Sequence, residues 1–389
     1  MDNCIKLKNS QNLKQTLIKE ELLVPMLTNR QSNFELLRIV AMLFIVMHHY
    51  AVHGGITFTS QFTFNKIFLQ MLAFGGKVGV NIFIMISGYF LICEHFKLRK
   101  LIKLMFQMWF YSLAILILIF LFNFTNIDLK VILKSILPIG LVNWFAFTYF
   151  VFYLIFPFEN ILLRNISQKE YLLMLISGGI LWFVFPTISN IFGSFSIIGI
   201  MGLFSYLYAI GAYIRIYCKK TYRHVSKIAV YTYLLYMLSS ILFDLLSLKY
   251  NFFINKVFYF CDEKSIFLLI ISISLLLYFK DFNLKYNKYI NYIGATTFGI
   301  YLMHDNNYVR HFLWQNIFQN YIYYNTNFLV LHAIISILMV FVFCSFIDFL
   351  RLKFIEKPLF RYLNPKINVL ENKLRTQLDL MLDKIIKKT

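Results

Sequence analysis

Charged side chains are scarce in this chain. Asp, Glu, Lys and Arg make up 14% of its 389 residues, where a soluble domain carries roughly a quarter. That shortfall excludes an ordinary water-soluble enzyme. Acidic residues are the rarer kind, 18 against 38 basic, which leaves a formal net charge of +20. A surplus of this size suggests nucleic acid at first sight. The basic residues, however, lie singly or in short clusters between apolar runs, a pattern of membrane orientation rather than of a nucleic-acid-binding domain. Cysteine is sparse too: Cys4, Cys93, Cys218, Cys261 and Cys344 are unevenly spaced, include no CxxC pair and form no readable disulfide framework. The sequence shows no internal repeat, no loop long enough to fold as a soluble domain, and no expected cleavable signal peptide.

Apolar sequence is abundant, at 59% of residues, and it falls into repeated runs of about 18–22 residues. Continuous rather than alternating hydrophobicity excludes a β-barrel. The expected fold is an all-α integral membrane domain of about ten transmembrane helices. Their approximate positions are 34–52, 78–93, a third ending near 122, 143–160, 171–189, 196–216, 227–247, 265–279, 290–304 and 327–349. With the N-terminus inside, most Lys and Arg fall on the cytoplasmic side, so both termini are expected to be cytoplasmic. The chain divides into an N-terminal tail, 1–32, with the look of an amphipathic surface segment, a membrane domain, 33–363, and a charged tail, 364–389. Richness in Phe, Tyr, Ile, Asn and Lys hints at an AT-rich bacterial genome.

The first span is the least ordinary. It is apolar enough to cross a bilayer yet carries Glu35, Arg38, His48, His49 and His53. An intramembrane Arg costs about 2.5–3.5 kcal/mol at mid-depth on insertion scales, so it needs a partner or a task. Eleven residues at ~100° each make three turns with ~20° of drift, which sets Arg38 and His49 on one face, roughly 16 Å apart. Glu35, Met42 and His53 share that stripe, whereas His48 lies ~80° away from it. A cation, an acid and an imidazole aligned through half a membrane predict the wall of a central polar cavity joining the two faces. Glu35, one turn before Arg38, is its expected partner.

Three further features coincide with the Arg–ten–His spacing. They are GVNIFIMISGYFL at 79–91 followed by the basic turn Lys97-Leu98-Arg99-Lys100, the late run TTFGIYLMHDN at 296–306, and IEKPLFRYL at 355–363. In this order, over nearly the whole stretch 33–363, they resemble the acyltransferase type 3 family of integral-membrane O-acyltransferases. Asn81 stands where that family's pattern has an acid, and Ile39 where it often has Gly.

The resemblance implies transfer of an acetyl or other short acyl group from cytoplasmic acetyl-CoA, or another acyl-CoA, to a hydroxyl of an exported glycan or polysaccharide. His49, Arg38 and Glu35 are then the expected catalytic set. His49 acts as general base or transient acyl carrier, and Arg38 grips phosphates or an acyl carbonyl. Arg38, Lys97, Arg99 and Lys100 are expected to bind the donor, and His53, His304, Asp305 and Trp144 the acceptor. Trp109, Trp182 and Trp314 read as interface anchors or packing. No metal is expected: His49 and His53 have the i, i+4 spacing of a ligand pair, but no HExxH or Cys cluster completes a site. The competing class is a polysaccharide flippase, polymerase or small-solute transporter; such carriers often show repeats or helices broken at mid-membrane.

Overall fold

A computed structural model describes residues 31–122, 129–136, 143–191, 199–222 and 224–386. The expected amphipathic segment of the N-terminal tail falls on residues 1–30 and lies outside these. All regular structure among the described residues is helical. In chain order the helices are α1 (Ser32–Val52), α2 (Phe64–Ala73), α3 (Gly75–Leu91), α4 (Leu98–Phe122), α5 (Leu129–Ile136), α6 (Trp144–Asn165), α7 (Gln168–Gly179), α8 (Phe185–Ser189), α9 (Ile200–Tyr217), α10 (Val225–Ser247), α11 (Ile266–Asp281), α12 (Lys288–His304), α13 (Asn307–His311), α14 (Asn320–Tyr323), α15 (Leu329–Arg351) and α16 (Lys357–Ile386). Five-residue π-helical turns join α7 to α8 and α15 to α16.

Helix starts follow local chemistry. The Thr63 hydroxyl accepts from the Lys66 amide at the start of α2, and Asn287 accepts from two amides at the start of α12. Ser167 and Glu170 form a reciprocal capping box on α7.

Among the described residues, eight stretches are long and apolar enough to cross a bilayer. They include Phe64–Leu91, where only Phe74 separates α2 from α3, and Leu329–Leu374, where α15 runs on into α16. Helices also occupy the regions read as spans at 265–279 and 290–304, but α11 and α12 have 16 and 17 residues. At ~1.5 Å per residue they reach only roughly 24–26 Å, short of the ~30 Å hydrocarbon core. The protein is a multi-pass membrane protein.

α1 is the axis of the bundle. Leu37, Ala41, Val46 and Tyr50 on it are wholly buried, and it packs chiefly against α3 and α12, with α2, α11 and α15 around it. Apolar side chains on the outer helices instead point outward, as Leu234, Leu238 and Leu242 do on α10 and Ile335, Met339, Val342 and Phe346 on α15. That inversion suits hydrocarbon rather than water as the surrounding solvent. The close approach of α3 to α9 depends on two glycines facing one another. A Cβ on Gly88 would overlap the Tyr208 carbonyl oxygen, and one on Gly211 the Met85 carbonyl oxygen. Backbone cannot rotate out of the way as a side chain can, so these positions require a missing side chain.

Candidate active site

The stripe on α1 faces a cavity of about 670 Å³. Glu35, Arg38, Met42 and Ile45 form its α1 wall, and Lys100 and Tyr301 are among the residues opposite. Glu35 and Arg38 meet one turn apart, with Arg38 Nη1 donating to Glu35 Oε1 at 2.5 Å. Glu35 is almost fully buried while the guanidinium is 26% exposed. Glu35 fits here because α12 has no side chain at Gly294, where a Cβ would collide with Oε2.

The basic turn behaves unevenly. Lys100 lines the cavity, whereas Lys97 and Arg99 do not. Arg99 is exposed. Lys97 and Lys100 both hold Glu94 Oε2, at 2.6 and 3.3 Å, and Glu94 also lies on the cavity wall. Burial pushes the Glu94 carboxyl up, but the two ammonium groups outweigh it and hold the group below its ordinary value.

His49 is not on the wall of this cavity. It stands one turn beyond Ile45, 8% exposed, inside a cluster with His53, His304, Asp305 and Arg310. The His49 and His304 rings are 5.0 Å apart between centroids, and those of His49 and His53 5.1 Å. His49 Nδ1 and His304 Nε2 are hydrogen-bonded at 2.9 Å. His304 Nδ1 in turn meets the Ile300 carbonyl oxygen at 2.6 Å. On the opposite edge of the ring, His49 Nε2 lies 3.5 Å from Asp305 Oδ1, and Arg310 Nε holds the same oxygen at 2.8 Å. Burial pushes the Asp305 carboxyl up to about 6 against the pull of Arg310. Burial and the nearby Arg310 push His53, beyond the end of α1, down to about 3. At neutral pH His53 is therefore uncharged.

His48 faces elsewhere. Its Nδ1 meets the Ala73 carbonyl oxygen at 2.5 Å, and the side chain lines a second, larger cavity of about 920 Å³. Lys77, Phe58, Asn190, Tyr259 and Asp262 are among the other residues of that wall. Trp144 is not on that wall; it touches the cavity only through Lys77, whose Nζ is 5.1 Å from the indole centroid. His48 and His49 thus diverge by the ~100° that separates consecutive helical residues. His49 keeps the company of ionisable groups; His48 borders open space.

The structure thus gathers His49, His53, His304 and Asp305 at one end of α1 and Glu35, Arg38 and Lys100 toward the other. His304 and Asp305 are 1% and 2% exposed, packed against His49 rather than open to a cavity. Arg310 is the member of the cluster that sequence reasoning missed. It follows a helix end and a turn, where no periodicity predicts which side chain folds back.

His49, His53 and Asp305 each present one donor atom within 4.8 Å of the others, a spacing compatible with three-point coordination of a cation. The Asp305 oxygen is already held by a guanidinium, however, so the carboxylate has its counter-charge. Acyl transfer by protein exhaustively treated with chelator is accordingly expected to equal that of untreated protein. Lost activity restored by added Zn²⁺ would contradict this use of Arg310.

A family model described as an acyltransferase domain, Acyl_transf_3, matches residues 31–348. The chain belongs to the acyltransferase type 3 family. The match takes in α1 with Glu35, Arg38 and His49, the 79–91 segment, the basic turn and the His304–Asp305 pair. It ends before the 355–363 element. No curated protein and no solved structure matches the chain. The protein is a membrane acyltransferase.

Proposed function

We propose that this acyltransferase moves an acetyl or other short acyl group from cytoplasmic acyl-CoA to a hydroxyl of an extracytoplasmic glycan, across a bacterial plasma membrane. One observation carries the reading: a single helix holds Arg38 on the wall of a cavity at one end and His49 in a buried imidazole–carboxylate cluster at the other. Eleven residues of helix, roughly 16 Å, separate them. An extended pantetheine arm covers about that distance, and the chemistry of the cavity suits it. Arg38 and Lys100 supply cations for phosphate, and Phe34, Phe83 and Phe298 supply apolar wall for the arm.

The chemical step needs little else. The acceptor hydroxyl gives its proton to His49 as its oxygen bonds to the thioester carbonyl carbon. The carbon–sulfur bond then breaks, and the proton passes from His49 to the departing thiolate. Asp305, 3.5 Å from Nε2, stabilises the imidazolium formed midway. The acceptor is assigned to the 920 Å³ cavity, bordered by His48, Lys77 and Tyr259 on the same end of α1 as the His49–His53 pair.

Mass spectrometry of surface glycans from a deletion strain and its parent tests the reading. Glycan still exported but stripped of acyl esters is the expected result. Loss of the glycan itself would indicate a carrier instead. Arg38→Lys is expected to lose about one to two decades of transfer rate, since an ammonium cannot reproduce the planar fork and hydrogen bonds to charged groups are worth about 1.5–3 kcal/mol. Near-normal transfer by that variant in membrane vesicles would remove Arg38 from the donor site.

A further inference from the structure

Which nitrogen of His49 carries a proton decides what the ring can do, and its surroundings determine the answer. A backbone carbonyl oxygen only accepts hydrogen bonds. The 2.6 Å contact between His304 Nδ1 and the Ile300 oxygen therefore requires a proton on that nitrogen. His304 is 1% exposed, and among the described residues no carboxylate is paired with it. A second charge on its ring would be a buried cation beside Arg310, so the ring is neutral and Nε2 carries a lone pair. That lone pair faces His49 Nδ1 at 2.9 Å, which must then be the donor. His49 Nε2 is left as the base. On that edge Asp305 Oδ1 lies 3.5 Å away, beyond ordinary hydrogen-bond length.

Resting on the functional reading above, we propose that His304 is a positioning residue: it fixes His49 as the Nδ1–H tautomer and so leaves the Nε2 lone pair free to take the acceptor hydroxyl's proton. The arrangement does the work of a carboxylate–histidine pair without a carboxylate behind the base. The polarity runs from Ile300 carbonyl to His304 to His49, each link 3 Å or shorter. Asp305 is thereby free to act on the opposite edge of the ring, where charge develops.

Three substitutions at one position test this. Glutamine places its amide oxygen near the former Nε2 and can accept from His49 Nδ1–H; leucine fills similar volume and accepts nothing; alanine does neither. With acetyl-CoA as donor in membrane vesicles, His304→Leu and His304→Ala are expected to lower kcat about ten- to a hundredfold, the cost of stranding a buried donor, with KM for acetyl-CoA unchanged. His304→Gln is expected to recover most of the rate. Equal rates for the leucine and glutamine variants would overturn the proposal, because a packing role would not distinguish them.

Solid-state NMR of protein labelled with ¹⁵N-histidine reads the tautomer without any turnover. His49, assigned by its loss in His49→Gln, is expected to show a protonated Nδ1 and a bare Nε2, shifting in His304→Leu. A protonated Nε2 in the unaltered protein would overturn the proposal even where transfer is normal. Conversely, inactivity of unaltered protein toward acetyl-CoA, with the expected ¹⁵N pattern, would count against the donor assignment alone.

Discussion

His49→Ala is expected to eliminate measurable acyl transfer while the glycan continues to reach the cell surface. A positioned general base contributes about 10²–10⁴-fold, and here the truncation also leaves His304 Nε2 and the Asp305 edge facing a void. His49→Gln, which keeps the bulk, separates loss of the base from loss of packing and is expected to be equally inactive while folding normally. Acyl-ester content of the glycan, measured beside total exported glycan, is the relevant pair of numbers. Esters persisting in both variants would remove His49 from the chemistry. Disappearance of the glycan would instead turn the reading toward a carrier.

Lys66→Met is expected to have the largest effect on folding. Lys66 and Asp244 are 1% and 2% exposed and meet at 2.8 Å, tying α2 to α10. Lys66 Nζ also reaches the Thr59 carbonyl oxygen at 3.3 Å, within the segment that leads from the first span to α2. Removing one member of such a pair strands the other charge in a medium that cannot solvate it, at a cost of about 3–5 kcal/mol. Replacing both, as Lys66→Met with Asp244→Leu, removes the stranded charge and is expected to regain much of the loss. Thermal midpoints of the detergent-solubilised protein, followed by size-exclusion recovery, make the comparison. A single variant as stable as the unaltered protein would mean that the pair carries no net structural weight. Ile56, Thr57 and Phe58, on the same connecting segment, line the larger cavity, so damage at Lys66 is also expected to reach the acceptor side.

What could be read from the sequence follows periodicity closely. The 100° rule placed Glu35, Arg38, Met42, His49 and His53 on one face of α1; the first three border the same cavity, whereas His49 and His53 do not. The same rule separated His48 from His49, and the two side chains do have different surroundings. Periodicity says nothing about pairs brought together by tertiary packing. Lys66 and Asp244 are far apart in sequence, and Lys66 belongs to what reads as an amphipathic connection between spans; its wholly buried side chain has no local signal. Arg310 is five residues from Asp305 but lies past a helix end, where the i, i+4 rule lapses.

The element at 355–363 reads in sequence as a motif that follows the last span, with no local sign of what it packs against. In the structure Glu356 is 1% exposed, held by Arg351 and Lys103, with Asp348 and Tyr111 completing the group around Arg351 and Asp348. Span number was the least legible property. Hydropathy identifies α11 and α12 as apolar, but only the structure gives their lengths, which stop short of the hydrocarbon thickness.

The two cations on the smaller cavity wall already have acidic companions on that wall, Arg38 with Glu35 and Lys100 with Glu94. On the proposed reading an arriving donor phosphate would not meet bare positive charge; it would have to displace a carboxylate, which could close back when the anion leaves. Entry is an exchange of partners, with much of the gross attraction cancelled. If that reading holds, a spent carrier would be correspondingly easy to shed, and the pairing of charges that makes the helix tolerable in lipid would favour repeated turnover over tight retention.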